Sequence, residues 1–186
     1  MIAVPVIVWL VSGRSRVEIR ERTGWKRTSL LPGLLSGAFI GAVVLAAYYL
    51  VLRPCVDPIP LTMKVESLGL IDYYWAMALV ISLSNSLFEE YYWRAFLVSE
   101  LGDWTRRKWL ICLAGGGAFG LHHVFALLSS LDVLLLTLCV AGTMLAGGMW
   151  TWMRVRGYSV LDCYVSHVLA DLSVMWIGYD LIKGIK

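Results

Sequence analysis

Two adjacent glutamates, Glu89 and Glu90, are followed by Arg94 inside the largely apolar stretch from Leu70 to Leu97. His122 and His123 interrupt the apolar run from Trp109 to Leu128. His167 and Asp171 interrupt the run from Tyr158 to Ile182, so all 3 histidines of the chain stand in such positions. An ionisable residue at the centre of an apolar span costs roughly 2.5–3.5 kcal/mol on insertion, and it is therefore a functional candidate by default. Glu90 and Arg94 are four apart, on one helical face, and neutralise each other as an internal ion pair. Glu89 points about 100° away from that pair. It has Asn85, the one asparagine of the chain, a turn before it. A carboxylate facing a bundle interior is a candidate general base. His167 and Asp171 again share a face. His122 and His123 are neighbours and cannot both face one point, so one serves the interior while the other packs or meets a loop.

Three kinds of chemistry use such a set. A carboxylate and an imidazole together deprotonate water and later protonate a leaving amine, which is hydrolysis. Glu89, His123, His167 and Asp171 are also competent Zn²⁺ ligands, although the HExxH pattern of zinc peptidases is absent. The same polar groups could instead act as interhelical glue in a non-catalytic immunity, scaffold or transport protein.

The elements that must hold these residues are membrane helices. Of 186 residues, 59% are hydrophobic and 16% charged, with a mean hydropathy of +0.73. A water-soluble chain of this length cannot bury so much apolar surface. A soluble enzyme, a disordered chain and a secreted disulfide scaffold are thereby excluded. The 9 Trp and 9 Tyr are of the ring types that favour bilayer interfaces. A hydrocarbon core needs about 20 apolar residues per helix. Five stretches meet that length: Leu30–Leu52, Leu70–Leu97, Trp109–Leu128, Leu131–Met153 and Tyr158–Ile182. The opening residues to Val11 make about half a span and are a candidate sixth. The expectation is an all-α polytopic bundle, one transmembrane domain over 1–186, with the 53–69 segment as a proline-containing linker.

Counted at ~1.5 Å per residue, the three polar clusters fall in one layer near the midplane. Arg14 to Arg27, Arg106 to Lys108, and Arg154 with Arg156 precede alternate spans and should face the cytoplasm; Arg53, Lys64, Lys183 and Lys186 fall on the other side. The formal charge of +3 and the short basic clusters give nucleic-acid binding little support. The 4 cysteines form no CxxC pair and read as small packing residues. The apolar opening precedes its basic run, the reverse of a secretory signal, so no cleavable signal is expected.

Phe88 to Arg94 matches the EExxxR motif of the CPBP family, the CAAX-processing and bacteriocin-processing intramembrane proteases also called Abi. Phe119 to His123 matches that family's FxxxH motif, and His167 to Asp171 its HxxxN/D motif. The likeness covers about residues 80–175, with the three motifs in order on the three spans that polar residues interrupt. The resemblance implies an intramembrane endopeptidase in which Glu89 activates water and His123 assists. Glu90 and Arg94 would hold the constellation, and His167 with position 171 would stabilise the oxyanion. Asp171 stands where Asn is commoner, and an ionised carboxylate accepts hydrogen bonds but cannot donate them. Asn85 would then supply the amide. The implied partner is a membrane-associated or lipidated protein or peptide, in contact with membrane lipid. Prenylated CAAX proteins, bacteriocin leaders and sorting tags all fit. No cofactor is expected, zinc being the alternative. The short chain without an N-x-[ST] sequon favours a prokaryotic plasma membrane.

Overall fold

In the computed structural model, which describes residues 2–128 and 131–184, helix follows helix and no strand occurs among the described residues. The order is α1 (Ala3–Val11), α2 (Arg16–Thr23), α3 (Leu31–Ala47), α4 (Ile59–Ser67), α5 (Tyr74–Glu90), α6 (Val98–Trp104), α7 (Lys108–Leu127), α8 (Val133–Val155) and α9 (Val160–Lys183). A π-helical turn at Tyr48–Leu52 and a 3-10 turn at Arg53–Cys55 extend α3, and a π-helical segment, Tyr91–Leu97, joins α5 to α6.

Among the described residues, four helices are long and apolar enough to cross a membrane: Leu31–Cys55, Lys108–Leu127, Val133–Val155 and Val160–Lys183. The Leu70–Leu97 stretch, expected as a fifth span, is helical only from Tyr74 onward. Its α-helix stops after 17 residues, where the chain changes helix type at the charged motif. The opening segment forms α1, whose 9 residues are too short to span. The expected 53–69 linker is also largely helical. Pro58 and Pro60 stand at the N-cap and in the first turn of α4, where a missing N–H breaks no helical hydrogen bond. Lys186, counted among the outward cations, lies outside the described residues.

The chain forms two compact units, one of residues 1–29 and 88–163, the other of residues 30–87 and 164–186. In the first, α7 and α8 form a close-packed pair along small residues. A Cβ built on Gly116 would lie 2.7 Å from the Met144 carbonyl oxygen and 2.8 Å from the Gly148 nitrogen, both backbone atoms. Gly116→Ala is therefore expected to push the two helices apart and cost ~1–3 kcal/mol of overpacking strain. Thermal unfolding in detergent checks this, and an unchanged midpoint would show that the pair is loose.

A belt of basic residues closes one end of this unit. Ser15 and Glu18 form a capping box that starts α2, and Gly24, at φ 69, ends it. Arg14 pairs with Glu100 and, at 3.1 Å, with Asp103, while Arg22 reaches Asp103 at 2.6 Å. The Arg22 guanidinium holds the Asp103 carboxyl below its ordinary range, so the pair is ionised at neutral pH. Arg154 donates to the Arg22 carbonyl at 2.8 Å, Lys26 to the Gly157 carbonyl, and Thr28 to Asp162 at 2.8 Å. The first basic cluster thus meets the chain beside the other two at one end of the unit.

In the second unit, Gly33, Gly37 and Gly41 make a buried stripe on α3. A Cβ at Gly37 would meet Leu169 Cβ and Ser166 Cα at 2.9 Å, which is why α3 and α9 approach so closely. Tyr74 donates to the Met175 carbonyl at 2.7 Å, and Tyr48 to Asp180 at 2.8 Å. Val65, Tyr74, Ala78 and Ile182 form the core at that end.

Candidate active site

The first unit carries Glu89, Glu90, Arg94, His122 and His123. Glu90 and Arg94 are wholly buried and pair at 2.9 Å, Arg94 Nη1 to Glu90 Oε1. Arg94 also donates through Nη2 to the Gly147 carbonyl at 3.3 Å. Its guanidinium carbon lies 4.4 Å from the centroid of the Phe119 ring and 5.0 Å from that of Trp150. One cation thereby ties the π segment to α7 and α8 through a hydrogen bond and two ring faces, while its ion pair fixes the turn that leaves α5 at Glu90. Trp93, Arg94, Ala95 and Phe96 are buried in succession. Four consecutive positions cannot occupy one face of a helix, so this segment is enclosed on all sides. Trp9 of α1 is part of that enclosure, with its ring 6.0 Å from Tyr91 and 5.6 Å from Phe96, both edge-on. A π-helical turn is rare and tends to mark function, and here it begins immediately after the two glutamates.

Glu89 is 3% exposed. His122 Nε2 stands 3.8 Å from its Oε1, and the His122 ring is more than a third exposed. His122 also lies beside Trp93, centroid to centroid 5.8 Å. His123 Nδ1 is 2.9 Å from the Phe119 carbonyl oxygen one turn back. A carbonyl only accepts, so Nδ1 carries the proton and Nε2 presents a lone pair in the neutral ring. One histidine of the pair thus stands beside the Glu89 carboxylate, and the other is bonded to the backbone of its own helix. The sequence alone does not single out His122 as the neighbour of Glu89.

The second unit carries Asn85, His167 and Asp171. His167 is 3% exposed, and its Nε2 lies 3.5 Å from Asp171 Oδ1. Ser86 donates to Asp171 Oδ2 at 2.9 Å. Asn85 is exposed, while Ser86, the next residue on α5, is wholly buried together with Ser82. The amide expected to serve the interior thus stands on the outer face, because one residue along a helix rotates a side chain by about 100°. Asp171 is engaged as an acceptor. Ser86 is the residue that sequence reasoning missed, and the buried Ser82–Ser86 spacing of four on α5 was its available signal.

Among the described residues, no group of three or more His, Cys, Asp and Glu side chains is arranged to hold a metal. The 4 cysteines are free thiols, Cys163 among them buried.

Apolar helices of spanning length, with a charged motif at a helix irregularity and histidines beside it, are the features of a multi-pass membrane protein. The family model described as type II CAAX prenyl endopeptidase Rce1-like matches residues 71–173, more than half of the chain, and the chain belongs to that family. The match confirms the CPBP resemblance and gives the protein's class as a CAAX protease-type membrane endopeptidase. Searches among curated proteins and among solved structures returned no match.

Proposed function

We propose that the chain hydrolyses a peptide bond of a membrane-associated or lipidated protein, with Glu89 as the base that activates water. The observation that carries this reading is the buried Glu89 carboxylate, with an imidazole at 3.8 Å, on a helix clamped by the Glu90–Arg94 pair. Glu89 takes a proton from water, and the resulting hydroxide attacks the scissile carbonyl carbon. The proton passes to the leaving amine as the tetrahedral intermediate collapses. His123 assists through Nε2. The resemblance assigns oxyanion stabilisation to His167 with position 171, and within their own unit Asp171, anchored by Ser86, lies 3.5 Å from His167 Nε2. The family's name points to prenylated CAAX substrates, so the probe is an internally quenched peptide ending in a farnesylated cysteine and three further residues.

Two measurements with that probe separate the roles. His123→Gln is expected to lower kcat by ~10²–10⁴, the usual range for a general acid–base residue. His122→Gln should cost less, because its exposed ring tunes Glu89 rather than moving the proton. A reversed order would transfer the assisting role to His122. Asp171→Asn should retain turnover near the parent's, since the amide oxygen still accepts the Ser86 hydroxyl. A zinc-assisted mechanism predicts the opposite. There, Asp171→Asn loses activity, chelator abolishes turnover, and added Zn²⁺ restores part of it.

A further inference from the structure

The basic belt divides into two sets of arginines on and just before one short helix. Arg14 and Arg22 are half-buried and committed to Glu100 and Asp103. Arg16 and Arg20, four apart on α2, are exposed, and among the described residues neither is paired with a carboxylate. They line a groove of about 570 Å³ with Trp25, Lys26, Val17 and Glu21. Three cations thus face one carboxylate. Lys26 donates to the Gly157 carbonyl, which leaves its ammonium two further N–H donors. Val17 is 67% exposed at the groove, and Trp25 supplies an indole of the kind that sits at headgroup depth.

We propose that this groove binds the phosphate-bearing headgroup of an anionic phospholipid at the basic end of the protein. Charge complementarity identifies the occupant. Two guanidiniums a helical turn apart suit the oxygens of a phosphodiester, and the open groove of about 570 Å³ has room for a headgroup. The groove lies on the segment that meets the ends of α8 and α9 through Arg154, Gly157 and Asp162, where the bilayer surface of a multi-pass protein falls. An exposed valine beside the cations matches a ligand with an anionic head and an apolar continuation; free phosphate has no use for it. An acidic peptide would fit the charge but leaves Val17 and Trp25 unexplained.

The test uses the full chain purified in detergent, with native mass spectrometry reading retained lipid. Phosphatidylglycerol is offered alongside phosphatidylcholine. The parent is expected to retain phosphatidylglycerol preferentially, and Arg16→Gln with Arg20→Gln should reduce its occupancy by about fivefold per arginine removed. Arg106→Gln with Arg107→Gln removes the same charge from another cluster and should leave occupancy unchanged. Equal retention of the two lipids overturns the proposal, as does equal loss in both double variants. Displacement of the lipid by millimolar inorganic phosphate would reassign the groove to a free anion. Displacement by an acidic peptide that outcompetes phosphatidylglycerol would reassign it to a protein partner. Either displacement also overturns the lipid assignment. If the Arg16/Arg20 double variant is not monodisperse, the single variant Arg20→Gln carries the same comparison.

Discussion

Glu89→Gln is expected to remove peptidase turnover while leaving a folded protein of parental yield. The substitution keeps the shape of a side chain that is only 3% exposed and removes its capacity to take a proton. General-base catalysis contributes ~10²–10⁴ in rate, and loss of the charge next to the activated water acts in the same direction. The amide also still offers an oxygen toward His122, so the contact at 3.8 Å has a neutral substitute and the fold has little reason to change. The measurement is cleavage of the farnesylated quenched peptide, with size-exclusion elution and thermal midpoint recorded on the same preparation. Turnover within an order of magnitude of the parent's would remove Glu89 from the mechanism. A collapse of folding would make it structural instead.

Arg94→Ala should produce the converse result. Arg94 and Glu90 are both fully buried, and the guanidinium is also held by the Gly147 carbonyl and the Phe119 and Trp150 rings. Truncation leaves Glu90 as a buried charge without its cation, which typically costs ~3–5 kcal/mol, and it opens a cavity as well. A domain is stable by only ~5–15 kcal/mol, so the expected readout is a sharp fall in folded yield and thermal midpoint. The double variant Glu90→Gln with Arg94→Met removes both charges and should recover much of that loss. A well-folded but inactive Arg94→Ala protein would mean that Arg94 belongs to the chemistry rather than to its support. Glu89→Gln and Arg94→Ala therefore separate two adjacent glutamates by function, one through rate and the other through stability.

The chemistry-bearing residues are legible in the sequence because charge in an apolar span is expensive, and few such residues persist without a use. Glu89, the Glu90–Arg94 pair, the two histidines of α7 and the His167–Asp171 pair all stand out on that ground. Their order also carries the family, which the match over residues 71–173 confirms. The all-helical class follows from composition, since backbone groups in a bilayer must bond within their own segment. The Glu90–Arg94 contact is legible too, since i,i+4 spacing on a helix forces those side chains together.

Other features depend on packing between segments far apart in the chain. The π register after Glu90 has no local signature, because a fifth-residue hydrogen bond is retained only where surrounding side chains favour the widened turn. Periodicity therefore merged α5 with the π segment into a single expected span. Asn85 and Ser86 differ by one residue, and only the neighbours of α5 decide which of them is buried. His122 and His123 are equivalent by spacing. The backbone carbonyl of Phe119 and the position of Glu89 give one a fixed tautomer and the other a carboxylate. The opening helix is about half a span by length, and only the tertiary structure sets Trp9 edge-on against Tyr91 and Phe96. The sequence determined by itself which groups are costly to bury, a local property of residue type and span. Tertiary structure decided which partners those groups meet, because a side chain's direction and exposure are set by elements distant in the chain.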